Sequence, residues 1–296
     1  MIALGLLPLA LLSPTASTKV PITVFSWNIF RGGDGAMDYD KDPVDKLRRQ
    51  ESIVRVIQKS NPDVVAMVET YGSGDVFAKK LGYKYHPRGT NVSIYSRWPI
   101  VKDISVYNSF NCVGALIKGP NGKEFAFYTI WIHYYDDVWT DPKSRDGRTV
   151  QDLIEKDDPR RMTQVHAIMD GIDSKMKELG NIPLILGGDF NSNSHLDYTE
   201  AAKNQYGMVI EWPVTKAFAD GGFLDSYRTC NKRVDRKKDR TWSPWYPEQI
   251  QDRIDFIFWR GDMLKPRWSK MLDQWEKHWP SDHSAVVTRF DWNQGG

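Results

Sequence analysis

Beyond residue 20 the chain alternates between two rhythms of apolar and polar positions. Short β-branched and aromatic runs bounded by turn residues predict strands at Ile22–Trp27 (ITVFSW), Val64–Val68 (VVAMV), Val92–Tyr95, Ile104–Tyr107, Gly114–Ile117, Glu124–Ile132 (EFAFYTIWI), Ile182–Leu186, Ile254–Trp259 and Ala285–Phe290. Between the first two, Val44, Leu47, Val54 and Ile57 recur at helical spacing and predict a helix over Asp45–Lys59, ended by Asn61-Pro62-Asp63. Strand, helix, strand predicts parallel pairing of the two strands. Pro120-Asn121-Gly122 predicts a hairpin turn, and a second helix, Arg160–Leu179, follows a polar loop at Asp136–Arg148. No linker or repeat interrupts residues 21–296, which predicts one α/β or α+β domain with a mixed sheet or two stacked sheets.

The first 20 residues have another character. Ile2–Leu12 (IALGLLPLALL) is apolar and uncharged, too short to span a bilayer, and followed by small residues suited to cleavage near Ser17. Residues 1–20 are therefore expected to be a signal peptide or a disordered tail, and the mature chain to be secreted or periplasmic. In that setting Cys112 and Cys230 could pair, although two cysteines exclude a disulfide scaffold, a zinc ribbon or an iron–sulfur site. Forty Lys+Arg against 38 Asp+Glu leave a net charge of +2, so no global field argues for nucleic acid. Locally, Arg228–Arg240 (RTCNKRVDRKKDR) carries +5 while the rest of the chain sums to −3. Such a stretch can grip a phosphate backbone or be a solvated loop.

The chemistry sits where apolar runs end. Asn28 follows the first strand and Glu69 the second, so parallel pairing brings both to one carboxyl edge, where α/β proteins place ligands. His133 and the segment Gly187–Asn191 (GGDFN) also follow strands, Asp255 lies inside an apolar run, and Asp282-His283 precedes the last strand. Each alone has a structural explanation as a turn former, cap or satisfied core residue. Together, carboxylates, amides and imidazoles at strand ends suit a hard, oxygen-liganded Mg²⁺ or Mn²⁺ better than zinc. No HExxH, P-loop or GxSxG segment offers another chemistry.

At these residues the chain resembles the endonuclease/exonuclease/phosphatase superfamily, which includes DNase I, exonuclease III-like enzymes, sphingomyelinases and inositol polyphosphate 5-phosphatases. The matching blocks, in the family's order, are SWNIF (26–30), NPDVVAMVET (61–70), TIWIHYY (129–135), GGDFNS (187–192), GFLDSYR (222–228), TWSP (241–244), DRIDFIFW (252–259) and SDHSAVV (281–287). The resemblance implies a four-layer sandwich, two mixed β-sheets face to face and flanked by helices. It implies a phosphoric ester hydrolase using Mg²⁺, with Mn²⁺ or Ca²⁺ as substitutes. Asn28, Glu69 and Asp282 would hold the ion, Asp189 would orient or deprotonate the attacking water, and Asn191 would contact a phosphoryl oxygen. His283, held by Asp255, would lie against the scissile phosphate, and His133 would contact it or protonate the leaving oxygen. A carboxylate beside His283 favours the imidazolium, which favours Asp189 as the base and His283 as an electrostatic stabiliser.

Two departures bear on the substrate. Val68 stands where exonuclease III-like members have Gln, and His133 where they have Tyr. Both move the resemblance towards DNase-like or sphingomyelinase-like phosphodiesterases, leaving polynucleotide, lipid headgroup and phosphorylated sugar or small molecule open. Arg31, in a glycine-rich loop (RGGDG), His195, Arg228 and Trp242 are candidate substrate contacts. A binding protein that has lost the chemistry would lack Glu69, Asp189 or His283, and a two-acid glycoside hydrolase leaves the histidines unexplained.

Overall fold

The computed structural model describes residues 19–33, 43–87, 89–134, 142–155, 159–276 and 278–295. The apolar leader at Ile2–Leu12, Asp34 and Gly35 of the glycine-rich loop, and residues 136–141 of the polar loop lie outside that set. In chain order the elements are β1 (Lys19–Asn28), α1 (Pro43–Ser60), β2 (Val64–Val68), α2 (Gly74–Leu81), β3 (Lys84–Pro87), β4 (Ser93–Ser96), β5 (Ile100–Asp103), β6 (Cys112–Lys118) and β7 (Glu124–Trp131). There follow α3 (Val150–Glu155), α4 (Pro159–Leu179), β8 (Leu184–Asp189), α5 (Lys203–Tyr206), α6 (Pro213–Asp220), β9 (Leu224–Asp225), α7 (Ser226–Cys230), β10 (Asp255–Arg260), β11 (Leu264–Leu272) and β12 (Ala285–Asn293).

The strands form two six-stranded mixed sheets, ordered β11-β12-β1-β2-β4-β3 and β5-β6-β7-β8-β10-β9. β1 and β2 are parallel, as the strand–helix–strand pattern predicts, and so are β7 and β8 across α4. Period-two alternation assigns each residue a layer. Ile22, Val24, Val64 and Ala66 face Phe127, Ile185, Ile257 and Trp259 between the sheets. The alternate residues Phe25, Trp27, Val65 and Met67 meet Ile53, Ile57 and Phe77 of α1 and α2. On the second sheet, Leu184, Leu186, Phe256 and Phe258 meet Val165, Ile168 and Phe218 of α4 and α6. The result is the four-layer α/β sandwich. Each fully buried Ile or Phe contributes roughly 1.5–3 kcal/mol, so the rigid part of the molecule is the sandwich from whose edge the polar residues project.

Some expectations change. Ile104 still donates its amide to the Gly114 carbonyl at 2.9 Å, but residues 105–107 leave the ladder, because Asp103 Oδ1 accepts the Ser105 amide at 2.8 Å and turns the chain after β5. β11 escaped the periodicity because it is an edge strand with Lys265, Arg267 and Lys270 exposed along it, the charges that discourage pairing with another chain. Cys112, buried, and Cys230, half-buried, form no disulfide. Among the described residues no helix is long and apolar enough to cross a membrane.

Candidate active site

The parity that builds the core also builds the site. Asn28 shares the inward face of Val24 and Ser26, Asp189 that of Ile185 and Gly187, and Asp255 that of Ile257 and Trp259. All three stand at strand ends, and Asp189 is register partner of Asp255. They therefore converge at one mouth of the sandwich. Gly187 lets the sheets close there, since a Cβ on it would meet Ala66 Cβ at 2.8 Å and Ser26 Oγ at 3.3 Å.

Asn28 is the hub. Its Nδ2 donates to Glu69 Oε1 at 3.1 Å and to Asp189 Oδ2 at 3.1 Å, and His283 Nε2 stands 3.4 Å away. Its Oδ1 accepts the Phe30 amide at 3.0 Å. The amide thus turns its nitrogen, not its oxygen, to the site. In this arrangement Asn28 positions the acids through Nδ2. Glu69 follows β2 in the left-handed region (φ 60°), and its Oε2 accepts the Arg31 amide at 3.0 Å. A non-glycine residue held there marks a backbone bent to aim a side chain.

Asp189 is buried on a dense set of donors. Its Oδ1 accepts the Asn191 amide at 2.9 Å, and Asn191 Nδ2 donates to Asp189 Oδ2 at 3.2 Å and to the Ile132 carbonyl at 2.8 Å. The Asn191 amino group thereby ties Asp189 to the Ile132 carbonyl just past β7. Burial, then the Asp255 charge, push the Asp189 carboxyl up to about 8, with His283 opposing them.

His283 Nδ1 lies 2.8 Å from Asp255 Oδ2, both buried. Burial alone would lower the imidazole pKa, but Asp255, its hydrogen bond, Asp282 and Asp189 hold it well above the ordinary value. The imidazolium form is accordingly the favoured one. Its backbone is fixed too: Trp27 and Trp279 Nε1 donate to the His283 carbonyl at 2.9 and 2.7 Å, its amide donates to Ser281 Oγ, and Ser281 Oγ donates to the Asn28 carbonyl. Thr241 Oγ1 accepts the Ile254 and Asp255 amides at 2.9 and 3.0 Å. Trp27, Trp279, Ser281 and Thr241 are residues that sequence reasoning missed. Ser281 and Thr241 lie inside recognised blocks and carry hydroxyls beside the acids, which was the available signal.

Asp282 is buried, and burial pushes its carboxyl up to about 7, with His283 opposing and Glu69 reinforcing the shift. Raised carboxyls packed together, with Asp255 Oδ1 buried and without a hydrogen-bond partner, fit a missing cation. The donors are carboxylate oxygens, the set a hard divalent ion takes. Asp189, Asp255 and His283 offer ligand atoms within 4.8 Å of one another. Asp255 and His283, however, already spend their facing atoms on each other. Asp255 Oδ1 and Asp189 still keep oxygens for an ion, and Glu69 and Asp282 act on one another electrostatically beside them.

The remaining candidates divide. His133 stands just past β7, with Nδ1 2.7 Å from the Tyr134 carbonyl and its main chain held by Gln164 Oε1 at 3.0 Å and Arg161 Nε at 3.2 Å. Arg31 is exposed, its guanidinium over the Phe30 ring. Trp242 packs edge-on against His283, ring centres 4.9 Å apart, so it borders the site. His195 lies elsewhere, bonded to Thr215 Oγ1 of α6 at 3.0 Å, and burial lowers its pKa. Arg228 is not a substrate contact. Its guanidinium is buried, with Nε and Nη2 on Asp197, Nη2 also on Asp239, and Nη1 on the Asn231 and Arg233 carbonyls. Arg253, fully buried, joins the same network through Asp197 and Asp225. The basic stretch is therefore partly structural, leaving Lys232, Arg233, Lys237 and Lys238 exposed.

Comparison with known proteins bears on the family and the fold. A model of the endonuclease/exonuclease/phosphatase family matches residues 25–283. An uncharacterized Caenorhabditis elegans protein is 27% identical over 310 residues, 94% of each chain. Among solved structures, truncated Caenorhabditis elegans TDP2 superposes with a TM-score of 0.62 at 17% identity, covering 92% of this chain and 98% of that one. Danio rerio (D. rerio) TDP2 complexed with a single-strand DNA product gives 0.60 at 16% identity, covering 91% and 98%. A Bacteroides thetaiotaomicron mannosyl-6-phosphatase gives 0.58 at 20% identity, covering 91% and 99%.

Proposed function

The chain belongs to the endonuclease/exonuclease/phosphatase family, and from that premise we propose that it is a phosphodiesterase using Mg²⁺. At the coarser level it is a divalent-metal-dependent phosphoric ester hydrolase. The observation that carries the finer reading is the convergence of Glu69, Asp189 and His283 on the single amide of Asn28. Two acids and a cationic imidazole on one buried hub suit an anionic ester that must be neutralised before it can be attacked.

Glu69 and Asp282, with Asp189, would hold the ion, which when bound neutralises phosphate charge and stabilises the leaving oxygen. Asp189 orients the attacking water and accepts its proton, a task suited to a carboxyl raised towards neutral pH. The water oxygen forms a bond to phosphorus as the bond to the leaving oxygen breaks. His283, kept protonated by Asp255, donates to a non-bridging oxygen and stabilises the charge that grows there. His133 stands at the end of β7 to protonate the leaving oxygen. Asn191 acts one step back, by fixing Asp189.

Polynucleotide is the substrate that two observations favour. A TDP2 with this fold was solved with a single-strand DNA product, and four exposed cations cluster in residues 232–238. We also propose export, on the strength of Ile2–Leu12; a reporter fused behind residues 1–20 that stays inside the cell overturns it. The test of the activity is a panel of single-strand DNA, sphingomyelin and bis(p-nitrophenyl) phosphate. EDTA should abolish hydrolysis and Mg²⁺ restore it. Turnover that survives chelation would sink the reading.

A further inference from the structure

Arg145 lies in the connection that leaves β7 just past His133, yet its side chain is only 9% exposed. Its guanidinium carbon stands 5.7 Å from the ring centres of both Tyr198 and Trp212. Nη1 donates to Tyr198 Oη, and Nη2 donates to Asp252 Oδ2 at 3.0 Å. Tyr198 Oη donates to the same Asp252 oxygen at 2.7 Å. Burial opposes the Arg145 charge, but Tyr198 and Asp252 outweigh it and hold its pKa above the ordinary value. Asp252 is buried as well. Its Oδ1 has no hydrogen-bond partner, and the other cation facing it, Arg236 Nε, is 4.0 Å away. At hydrogen-bond range Arg145 and Tyr198 are what offset its charge.

The Asp252 backbone passes this contact towards the site. Its carbonyl accepts the Thr241 and Trp242 amides, both at 3.0 Å, and its amide donates to the Trp242 carbonyl at 3.1 Å. Trp242 forms a β-bridge with Asp252 on one side and with His283 on the other. Its ring meets the imidazole edge-on, and the Thr241 carbonyl accepts the Ser284 amide at 2.8 Å. Trp242 is thus an extended residue clasped between the partner of Arg145 and the imidazole. Asp255 holds that imidazole at Nδ1 alone. One hydrogen bond fixes one ring atom, and the indole edge restrains how the ring tilts about it, and so where Nε2 points.

Removing one partner of a buried pair leaves the other charge uncompensated. Asp252 regains compensation only by moving, and its backbone is bonded to Trp242 through both its amide and its carbonyl. We propose that Arg145 is a positioning residue for His283: through Asp252 and Trp242 it sets the tilt of the imidazole and the aim of Nε2. Its kinetic consequence rests on the phosphodiesterase reading above; the physical link does not. The connection after β7 then serves the reaction at both ends, with His133 at one and Arg145 at the other.

The test compares the whole protein with Arg145→Gln, Arg145→Lys, Trp242→Phe and the double variant Arg145→Gln/Trp242→Phe, on bis(p-nitrophenyl) phosphate with Mg²⁺. Expected for Arg145→Gln is a fall of about tenfold or more in kcat with KM within about twofold, partly restored in Arg145→Lys. Because one path carries the effect, the double variant should be no slower than the slower single variant. Arg260→Gln breaks the Arg260–Asp173 pair at the other end of β10 from Asp255 and controls for a lost ion pair, with kcat unchanged. If circular dichroism shows Arg145→Gln unfolded, Tyr198→Phe takes its place, with a smaller fall of the same kind. A second readout needs no turnover. In protein labelled with ¹⁵N-tryptophan and ¹⁵N-histidine, the Trp242 indole and His283 ring signals should shift at fixed pH in Arg145→Gln and move back in Arg145→Lys. Trp242→Phe and His283→Ala identify those signals. Unchanged kcat in the folded variant, a rise in KM alone, multiplied losses in the double variant, or unmoved Trp242 and His283 signals overturns the positioning role. A wild type that turns over no phosphodiester sinks the phosphodiesterase reading, and the two signals still decide the link to Arg145.

Discussion

Asp255→Asn isolates one charge while keeping size and shape. Asp255 Oδ2 sits 2.8 Å from His283 Nδ1, both buried, and after burial itself it is the largest influence on that ring. Burial lowers the imidazole pKa and Asp255 raises it, with Asp282 and Asp189 adding to the rise. Removing the carboxylate hands the balance towards burial. The sign follows. In the wild type His283 stays protonated well above its ordinary pKa, so a rate that needs the imidazolium falls only at alkaline pH. In the variant the same fall moves to lower pH. Where the variant ring has lost its proton and the wild-type ring has not, the lost electrostatic group should cost at least ~10² in kcat. Breaking a buried pair also destabilises the fold, by roughly 3–5 kcal/mol while the ring remains charged. The folded-state rise in the His283 pKa stabilises the wild type fully below the unfolded pKa, and that contribution disappears as pH climbs through the folded pKa. The assay is initial rate on bis(p-nitrophenyl) phosphate from pH 5.5 to 9.5 at saturating Mg²⁺, with melting followed in parallel. His283→Ala and the double variant complete a cycle, in which the double should be no slower than His283→Ala alone. An alkaline limb at the wild-type pH, or kcat within about threefold of wild type against that expectation, would refute the pairing as the source of the ring's charge.

Two further outcomes follow from the same coordinates. Asp189 and Asp282, raised to about 8 and about 7, must lose protons when a cation binds, so Mg²⁺ affinity should climb between pH 6 and 8 and then level off. Titration calorimetry in two buffers of different ionisation enthalpy counts the protons, and a pH-independent affinity would dismiss the carboxyls as ligands. Gly187→Ala, whose Cβ would meet Ala66 Cβ at 2.8 Å, should destabilise the fold by roughly 1–3 kcal/mol, read as a lower urea midpoint at unchanged slope.

How much of this was visible in the sequence depends on which force made each element. Strands buried on both faces, such as β2 and β8, announce themselves as apolar runs, and the strand–helix–strand order of β1, α1 and β2 fixes their parallel pairing. β11 keeps solvent on its outer side and carries charges there, so its pattern imitates a loop. The acids and His283 were legible because a charge at the end of a buried run is costly without a purpose. The direction of the Asn28 amide was not, since it depends on the Phe30 backbone N–H, which no side-chain pattern reveals. Nor was the fate of Arg228. In the sequence it opens a basic stretch, and only the fold brings Asp197 and Asp239 around it.

β12 lies inside its sheet, between β11 and β1. β1 must therefore wait for β12 before its second edge is covered, and Asn28 must wait for His283, 255 positions later. Biosynthesis yields no half-made hydrolase: a nascent chain halted before Ser281 holds an open sheet and an incomplete site. Such long-range closure is slow, and it makes chemical competence wait for the β12 segment.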